Sequence, residues 1–387
     1  MENLPDFDDR ASETGTAADH GRRRHRLEGQ AVRAAVLKGR GATGNPEGRF
    51  ESTARDCVDD GWGEPGAGEP SALATHVTAE QARTVITRNN SPDVPFNYSI
   101  NPYRGCEHGC TYCFARPGHA YLSLSPGLEF ETRLIAKVNA AECLERELLR
   151  PGYVCETIAL GTNTDPYQPV ERKWRITRSL LEVAERFNQP VGIVTKNALV
   201  ERDLDILAPM AQRGLAAVFV SVTTLDHRLA RRLEPRASAP ARRIEAIRRL
   251  HEAGVPVGVM FAPVIPFLTD SALESVLEAA SSAGARQAGY ILLRLPYEVK
   301  QIFRDWLECH YPLKAAHVMS RVHAMRGGRD NDPDFGSRMV GKGEFADLLG
   351  KRFRIACKRY GLNLTERKLD VSRFRRPAAG GQMDLFT

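Results

Sequence analysis

The chain has 387 residues, 42% of them hydrophobic, which suffices for one large α/β barrel with extensions or for two to three average domains. No apolar run reaches the roughly eighteen residues of a membrane span, and the acidic start MENLPDFDDR lacks the apolar stretch of a secretory signal. A net charge of +6 is too mild to name a partner by itself, and eight cysteines without paired spacing suit a reducing cytoplasm.

Residues 1–75 are rich in Gly, Glu, Asp, Arg and Ala and carry little apolar periodicity, so a largely disordered arm is expected. Within it, Arg22–Arg26 is a basic run, either a solvated tail or a nucleic-acid contact. Lys38 to Phe50, with its glycines and closing aromatic, suggests a segment that docks on the folded body. From residue 76 to 298 short apolar runs alternate with helical periods. Strands are expected at 96–100, 157–160, 191–195, 217–223, 256–262 and 290–293, with helices at 139–150, 176–187, 201–213, 241–253 and 271–283 between them. Asn139, Asp203 and Asp270 are read as helix caps. Six β-branched strands in strand–helix order predict an α/β fold, a partial (β/α)6 TIM-type barrel whose chemistry collects at the C-terminal strand ends.

Residues 299–376 are expected as a helical, basic extension, with helices at 299–310, 317–325 and 344–360. Between Lys351 and Arg376 ten cations face only Glu366 and Asp370, with Phe353, Tyr360 and Phe374 interleaved. Such a stretch can place cations on phosphates and rings on bases, or it is a solvated helix face with its aromatics in the core. The last residues, 377–387, form a flexible tail ending Gln382-Met383-Asp384-Leu385-Phe386, a short peptide suited to a preformed groove.

The centre of the sequence is Asn101-Pro-Tyr-Arg-Gly-Cys106-Glu-His-Gly-Cys110-Thr-Tyr-Cys113, with three cysteines spaced C-x3-C-x2-C. Soft thiolates hold iron–sulfur clusters, and three on one loop can take three corners of a cubane and leave one iron open. A Cys3His zinc site completed by His108 is the competing reading. Polar residues recur at the expected strand ends: Thr164 to Gln168, Lys196-Asn197, Ser221 to Thr224 and Ala262-Pro263.

The cysteine spacing, ending in Tyr112-Cys113, resembles the signature of radical S-adenosylmethionine (radical SAM) enzymes. Together with Thr164-Asp165-Pro-Tyr-Gln168 and Glu234-Pro-Arg236, it resembles the branch containing spore photoproduct lyase and the PA-type "DNA repair photolyase" radical proteins. That resemblance implies a 4Fe-4S cluster on Cys106, Cys110 and Cys113 and S-adenosylmethionine against Tyr112, Thr164, Lys196, Ser221 and Ala262. It further implies reductive cleavage to a 5′-deoxyadenosyl radical, fed by an electron donor and directed at nucleic acid, DNA before RNA or a small metabolite. A non-catalytic cluster protein that binds DNA is the reading from another class. The lyase has a cysteine where this chain has Thr162 and Asn163, and a tyrosine where it has Phe114, so the lyase reaction itself is not implied. The pentapeptide 382–386 resembles the bacterial sliding-clamp-binding motif, which would make the clamp a partner.

Overall fold

The computed structural model describes residues 37–51, 73–365 and 368–377. The strands in chain order are β1 (His76–Glu80), β2 (Ile86–Arg88), β3 (Tyr98–Ile100), β4 (Tyr103–Arg104), β5 (Arg133–Lys137), β6 (Ile158–Leu160), β7 (Val191–Thr195), β8 (Ala216–Ser221), β9 (Val257–Val264) and β10 (Gln287–Leu292). Seven of them form one sheet in the order β10-β9-β8-β7-β6-β3-β2. From β3 to β10 every neighbouring pair is parallel, so all six C-terminal strand ends lie along one edge. Only β2 runs antiparallel, against β3. Among the described residues β10 and β2 do not pair with each other, so the sheet is an open partial barrel.

The six expected strands are all present and in order. β7 spans the expected residues, and its alternation explains why: Val191, Ile193 and Thr195 are buried while Gly192 and Val194 are partly covered. The helices supply the second layer: α1 (Leu128–Thr132), α2 (Ala140–Leu148), α3 (Glu171–Trp174), α4 (Ile176–Arg186), α5 (Leu204–Gln212), α6 (His227–Leu233), α7 (Pro240–Glu252) and α8 (Leu273–Ser282). In α2 the buried positions Ala140, Cys143, Leu144, Glu147 and Leu148 repeat at three- and four-residue steps, one stripe facing the sheet. In α7 Pro240 at the first turn needs no amide partner, and Arg243, Ala246, Ile247 and Leu250 form the buried stripe.

Asn139 and Asp203 hold the expected N-cap positions of α2 and α5, but neither side chain makes the capping bond, and the cap expected at Asp270 is corrected. Asn139 spends its amide on the Ala82 main chain, accepting at 2.8 Å and donating at 2.9 Å. Asp203 is taken by two guanidiniums, Arg178 at 3.0 Å and Arg202 at 2.8 Å, which outcompete a backbone amide. Asp270 lies in a short 3-10 turn without a side-chain cap. Asn197 caps instead, accepting from the Leu199 amide at 3.0 Å.

A small second sheet, β1-β5-β4, was not anticipated. It positions the site, because β4 runs directly into Cys106 and is paired to β5 through Tyr103 and Arg104. After β10, α9 (Val299–His310) and α10 (Pro312–Met325) build a second core of Phe303, Trp306, Leu307 and Val322 that includes Cys110 and Tyr112. α11 (Glu344–Arg359) and residues 368–377 return to the main core. There Phe353 packs on Tyr290 at 4.7 Å and Phe374 on Tyr153 at 5.3 Å. Phe353, Tyr360 and Phe374 thus pack against the main core while each keeps part of its surface exposed, in line with the expectation of a helix face with its aromatics in the core. No helix among the described residues is long and apolar enough to cross a membrane.

Candidate functional site

The segment 101–113 leaves β3 at the C-terminal edge of the sheet and is held by three buried carboxylates, each from a different element. The first is Glu131 on α1. It accepts from the Gly41 amide at 3.0 Å, the Ala42 amide at 2.8 Å and the Arg116 guanidinium at 2.5 Å. Arg116 is fully buried and also donates to the Cys110 carbonyl at 2.9 Å, so the pair ties the middle of the cysteine loop to α1. It further joins the 37–51 segment to the loop. A Cβ on Gly41 would lie 1.7 Å from the Gly109 carbonyl oxygen, so only glycine permits that approach. Gly109 itself has φ +66° and faces the Glu131 carboxylate.

The second carboxylate is Asp165, after β6. It accepts from Thr195 Oγ1 at 2.7 Å, the Lys196 amide at 2.7 Å and His108 Nδ1 at 3.3 Å. Burial works against its charge, but His108 and these donors hold its pKa down to about 2. His108 Nε2 meets the Asn197 amide nitrogen at 3.2 Å, so both ring nitrogens are already engaged. His108 thus braces the loop from both ring nitrogens. Two more residues of this strand end brace the loop. Gln168 accepts from the Glu107 amide at 2.9 Å and donates to the Gly105 carbonyl at 3.2 Å, and Asn101 Oδ1 accepts the Thr164 amide at 3.3 Å.

The third is Glu234, just after α6. It takes the Tyr112 hydroxyl, the Arg243 guanidinium, and Thr223 Oγ1 at 2.6 Å. Burial opposes its ionisation, yet Arg243 and Lys196 keep its pKa below the usual value. The same network collects two further strand ends: Arg243 donates to the Ser221 carbonyl at 3.1 Å and Thr223 to the Ala262 carbonyl at 3.2 Å. Tyr112, Ser221 and Ala262 are therefore linked through one carboxylate. Thr164 lies on the other side of the loop, its hydroxyl donating to the Tyr103 carbonyl at 3.0 Å.

Cys106, Cys110 and Cys113 are free thiols. Burial, then Asp165 and the other two cysteines, push Cys106 well above the ordinary thiol value, while the Asp165 main chain favours its thiolate. Burial pushes Cys110 up to about 12 although Lys196 opposes it. Among the described residues no three His, Cys, Asp or Glu side chains converge as ligands of a single ion. A cubane makes no such demand, because each thiolate binds a different iron. An all-thiol donor set on one loop fits that group in its chemistry, and binding would displace the thiol protons that burial otherwise retains.

Lys196 is half-buried at the end of β7, with its Nζ 5.9 Å from the Tyr112 ring centre. Burial lowers its pKa, but Cys110 and Glu234 outweigh that and hold it above the ordinary lysine value. Among the described residues no hydrogen-bond acceptor and no carboxylate within 4.0 Å meets its ammonium. Glu131, Arg116 and Arg243 are not marked by any local pattern in the sequence, because their burial comes from tertiary pairing. Gln382, Met383, Asp384, Leu385 and Phe386 lie outside the described residues, as does Arg22–Arg26.

Residues 100–280 match the sequence profile of the Radical SAM superfamily. An uncharacterised protein of Mycobacterium tuberculosis is 40% identical over 225 residues, 58% of this chain and 66% of the relative, so the match spans just under two thirds of that protein. An uncharacterised protein of Methanocaldococcus jannaschii is 26% identical over 215 residues, 56% of this chain and 76% of the relative. Among solved structures, spore photoproduct lyase complexed with dinucleoside spore photoproduct has a similar fold, with a TM-score of 0.52 at 17% identity. That likeness covers 74% of this chain and 80% of the lyase.

Proposed function

Since residues 100–280 of this chain form a radical SAM domain, we propose that Cys106, Cys110 and Cys113 hold a 4Fe-4S cluster and that S-adenosylmethionine binds beside it. In this reading Lys196 pairs with the cofactor carboxylate. Tyr112, Thr164, Ser221 and Ala262 border the remainder, the last two through main-chain groups at their strand ends. When bound, the pair supplies a one-electron reduction and a 5′-deoxyadenosyl radical that abstracts hydrogen from substrate. The chain's own contribution is positional: Glu131, Asp165 and Glu234 fix the loop and exclude water from its inner face. The observation that carries the reading is a half-buried ammonium over the Tyr112 ring, coupled to the Cys110 thiol, on the sheet edge that bears the three cysteines.

We take the substrate to be DNA. The fold is shared with a lyase solved with dinucleoside spore photoproduct, and on the strand-end edge the partly buried Arg294 lies against the exposed ring of Phe114. The setting is a reducing cytoplasm with an external electron donor. The tail Gln382–Phe386 is assigned to a sliding-clamp groove, which would raise the local concentration at DNA without altering the site. Equal clamp affinity of the full chain and of one lacking 382–387 would remove that assignment.

The test is anaerobic reconstitution with iron and sulfide, then dithionite and S-adenosylmethionine. Formation of 5′-deoxyadenosine, increased by DNA, is expected. Its absence from protein carrying a full complement of iron would leave the non-catalytic cluster protein as the better reading.

A further inference from the structure

Arg294 follows β10 by two residues and so stands on the same strand-end edge as the cysteine loop. Its guanidinium lies 5.5 Å from the ring centre of Phe114, the residue next to Cys113. Its Nε is buried with no hydrogen-bond partner, and its nearest acceptor among the described residues is the Met339 sulfur, 3.7 Å from Nη1. A thioether is a weak acceptor, so the guanidinium is short of partners.

The charges around it deepen the shortage. Burial first, then Arg338 and Arg326, bring its pKa down to about 10, with only Asp93 opposing them. Asp93 is already used by Arg338 Nε at 2.5 Å and by the Gly336 amide at 2.6 Å. Arg326 is spent on main-chain oxygens, among them Leu293 at 2.8 Å. Arg294 and Arg338 thus share one committed carboxylate, Asp93, while Arg326 has Asp332 and main-chain oxygens of its own. Such a cluster is stabilised by an incoming anion. Beside it Phe114 is 45% exposed and offers a flat apolar face.

We propose that Arg294 and Phe114 form a substrate subsite for single-stranded nucleic acid, the guanidinium taking a backbone phosphate and the ring stacking on the adjacent base. The proposal rests on the nucleic-acid reading above and gives that reading an address. It also moves the contact away from the basic C-terminal stretch, whose rings are packed, to the rim beside the cysteines.

The experiment measures fluorescence anisotropy of a labelled single-stranded oligodeoxynucleotide with the anaerobically reconstituted full chain, across a salt series. R294Q is expected to weaken binding about tenfold and to make the slope of log K against log salt shallower by about 0.7. R294K should keep the slope and lose part of the affinity, because charge remains and the fork does not. F114L should weaken binding of the normal strand while leaving a strand abasic at the contacted position unaffected. Unchanged affinity and slope in R294Q would overturn the subsite, as would absence of oligonucleotide binding by the unmodified chain. Competition by polyglutamate as effective as that by the oligonucleotide would overturn its assignment to phosphate. Binding is read without radical chemistry, so failure to form 5′-deoxyadenosine is a separate result.

Discussion

Replacing Glu131 by glutamine removes one charge from the pin that holds the cysteine loop. The carboxylate and Arg116 are both fully buried and lie 2.5 Å apart. Breaking such a pair leaves a buried guanidinium uncompensated, which costs about 3–5 kcal/mol. Glutamine keeps one acceptor oxygen, so it cannot serve both the Gly41 and Ala42 amides, and a buried amide left unmet adds about 1–3 kcal/mol. Part of this cost is relieved if residues 37–51 lift away. The expected loss in unfolding free energy of the metal-free protein is therefore about 3–5 kcal/mol, read from urea denaturation at constant slope. The undocked arm should also be cleaved first in limited proteolysis. A loss below about 0.5 kcal/mol, the size of an ordinary surface substitution, with unchanged cleavage would refute the idea that this pair organises the loop.

Three further outcomes are expected. Lys196→Met should weaken S-adenosylmethionine binding about tenfold or more, the worth of a charge-assisted hydrogen bond; unchanged affinity in equilibrium dialysis of the reconstituted protein would remove its assigned role. Gly41→Ala places a methyl 1.7 Å from the Gly109 oxygen and should cost about 1–3 kcal/mol by overpacking, with faster proteolysis of the arm as the marker. Asp330 joins α9 to α10, accepting from Arg304 at 2.6 Å and pairing with His323 at 2.8 Å. Burial raises its pKa, but these partners lower it further. Its contribution is therefore full above the unfolded carboxylate value of about 3.9 and is lost as pH falls through the lower folded value. For this partly exposed group the contribution is about 1 kcal/mol. The stability gap between the native chain and Asp330→Asn should close as pH falls through the carboxylate range; a gap independent of pH there would contradict the linkage.

Much of the architecture was legible because a parallel sheet buried on both faces demands β-branched runs, and β7, β8 and β9 supply them. The small sheet was not, because β1 reads HVTAE with every residue at least partly exposed and no apolar face to betray it. The side chain of Asp203 was misread for a different reason: Arg178 stands 25 residues away, and the adjacent Arg202 gives no sign in the sequence that it turns onto the carboxylate. At the site, the cysteine spacing and the polar strand ends pointed to residues that the parallel sheet brings to one edge. The pins of the loop were only partly visible. Glu234 stood out as part of Glu234-Pro-Arg236, but its partner Arg243 did not, and Glu131 looks like an ordinary surface acid until pairing with Arg116 buries it. Arg294 was equally silent, because a guanidinium stands out only when its missing acceptors are visible.

The central claim is that the three thiols hold a cubane with one iron left for an outside ligand. Iron and acid-labile sulfide should be quantified in anaerobically purified chain, beside a variant with Cys106, Cys110 and Cys113 all changed to alanine. The account expects about four of each per native chain and almost none in the variant. Stoichiometric zinc without sulfide in the native chain, or iron retained by the triple variant, would contradict it.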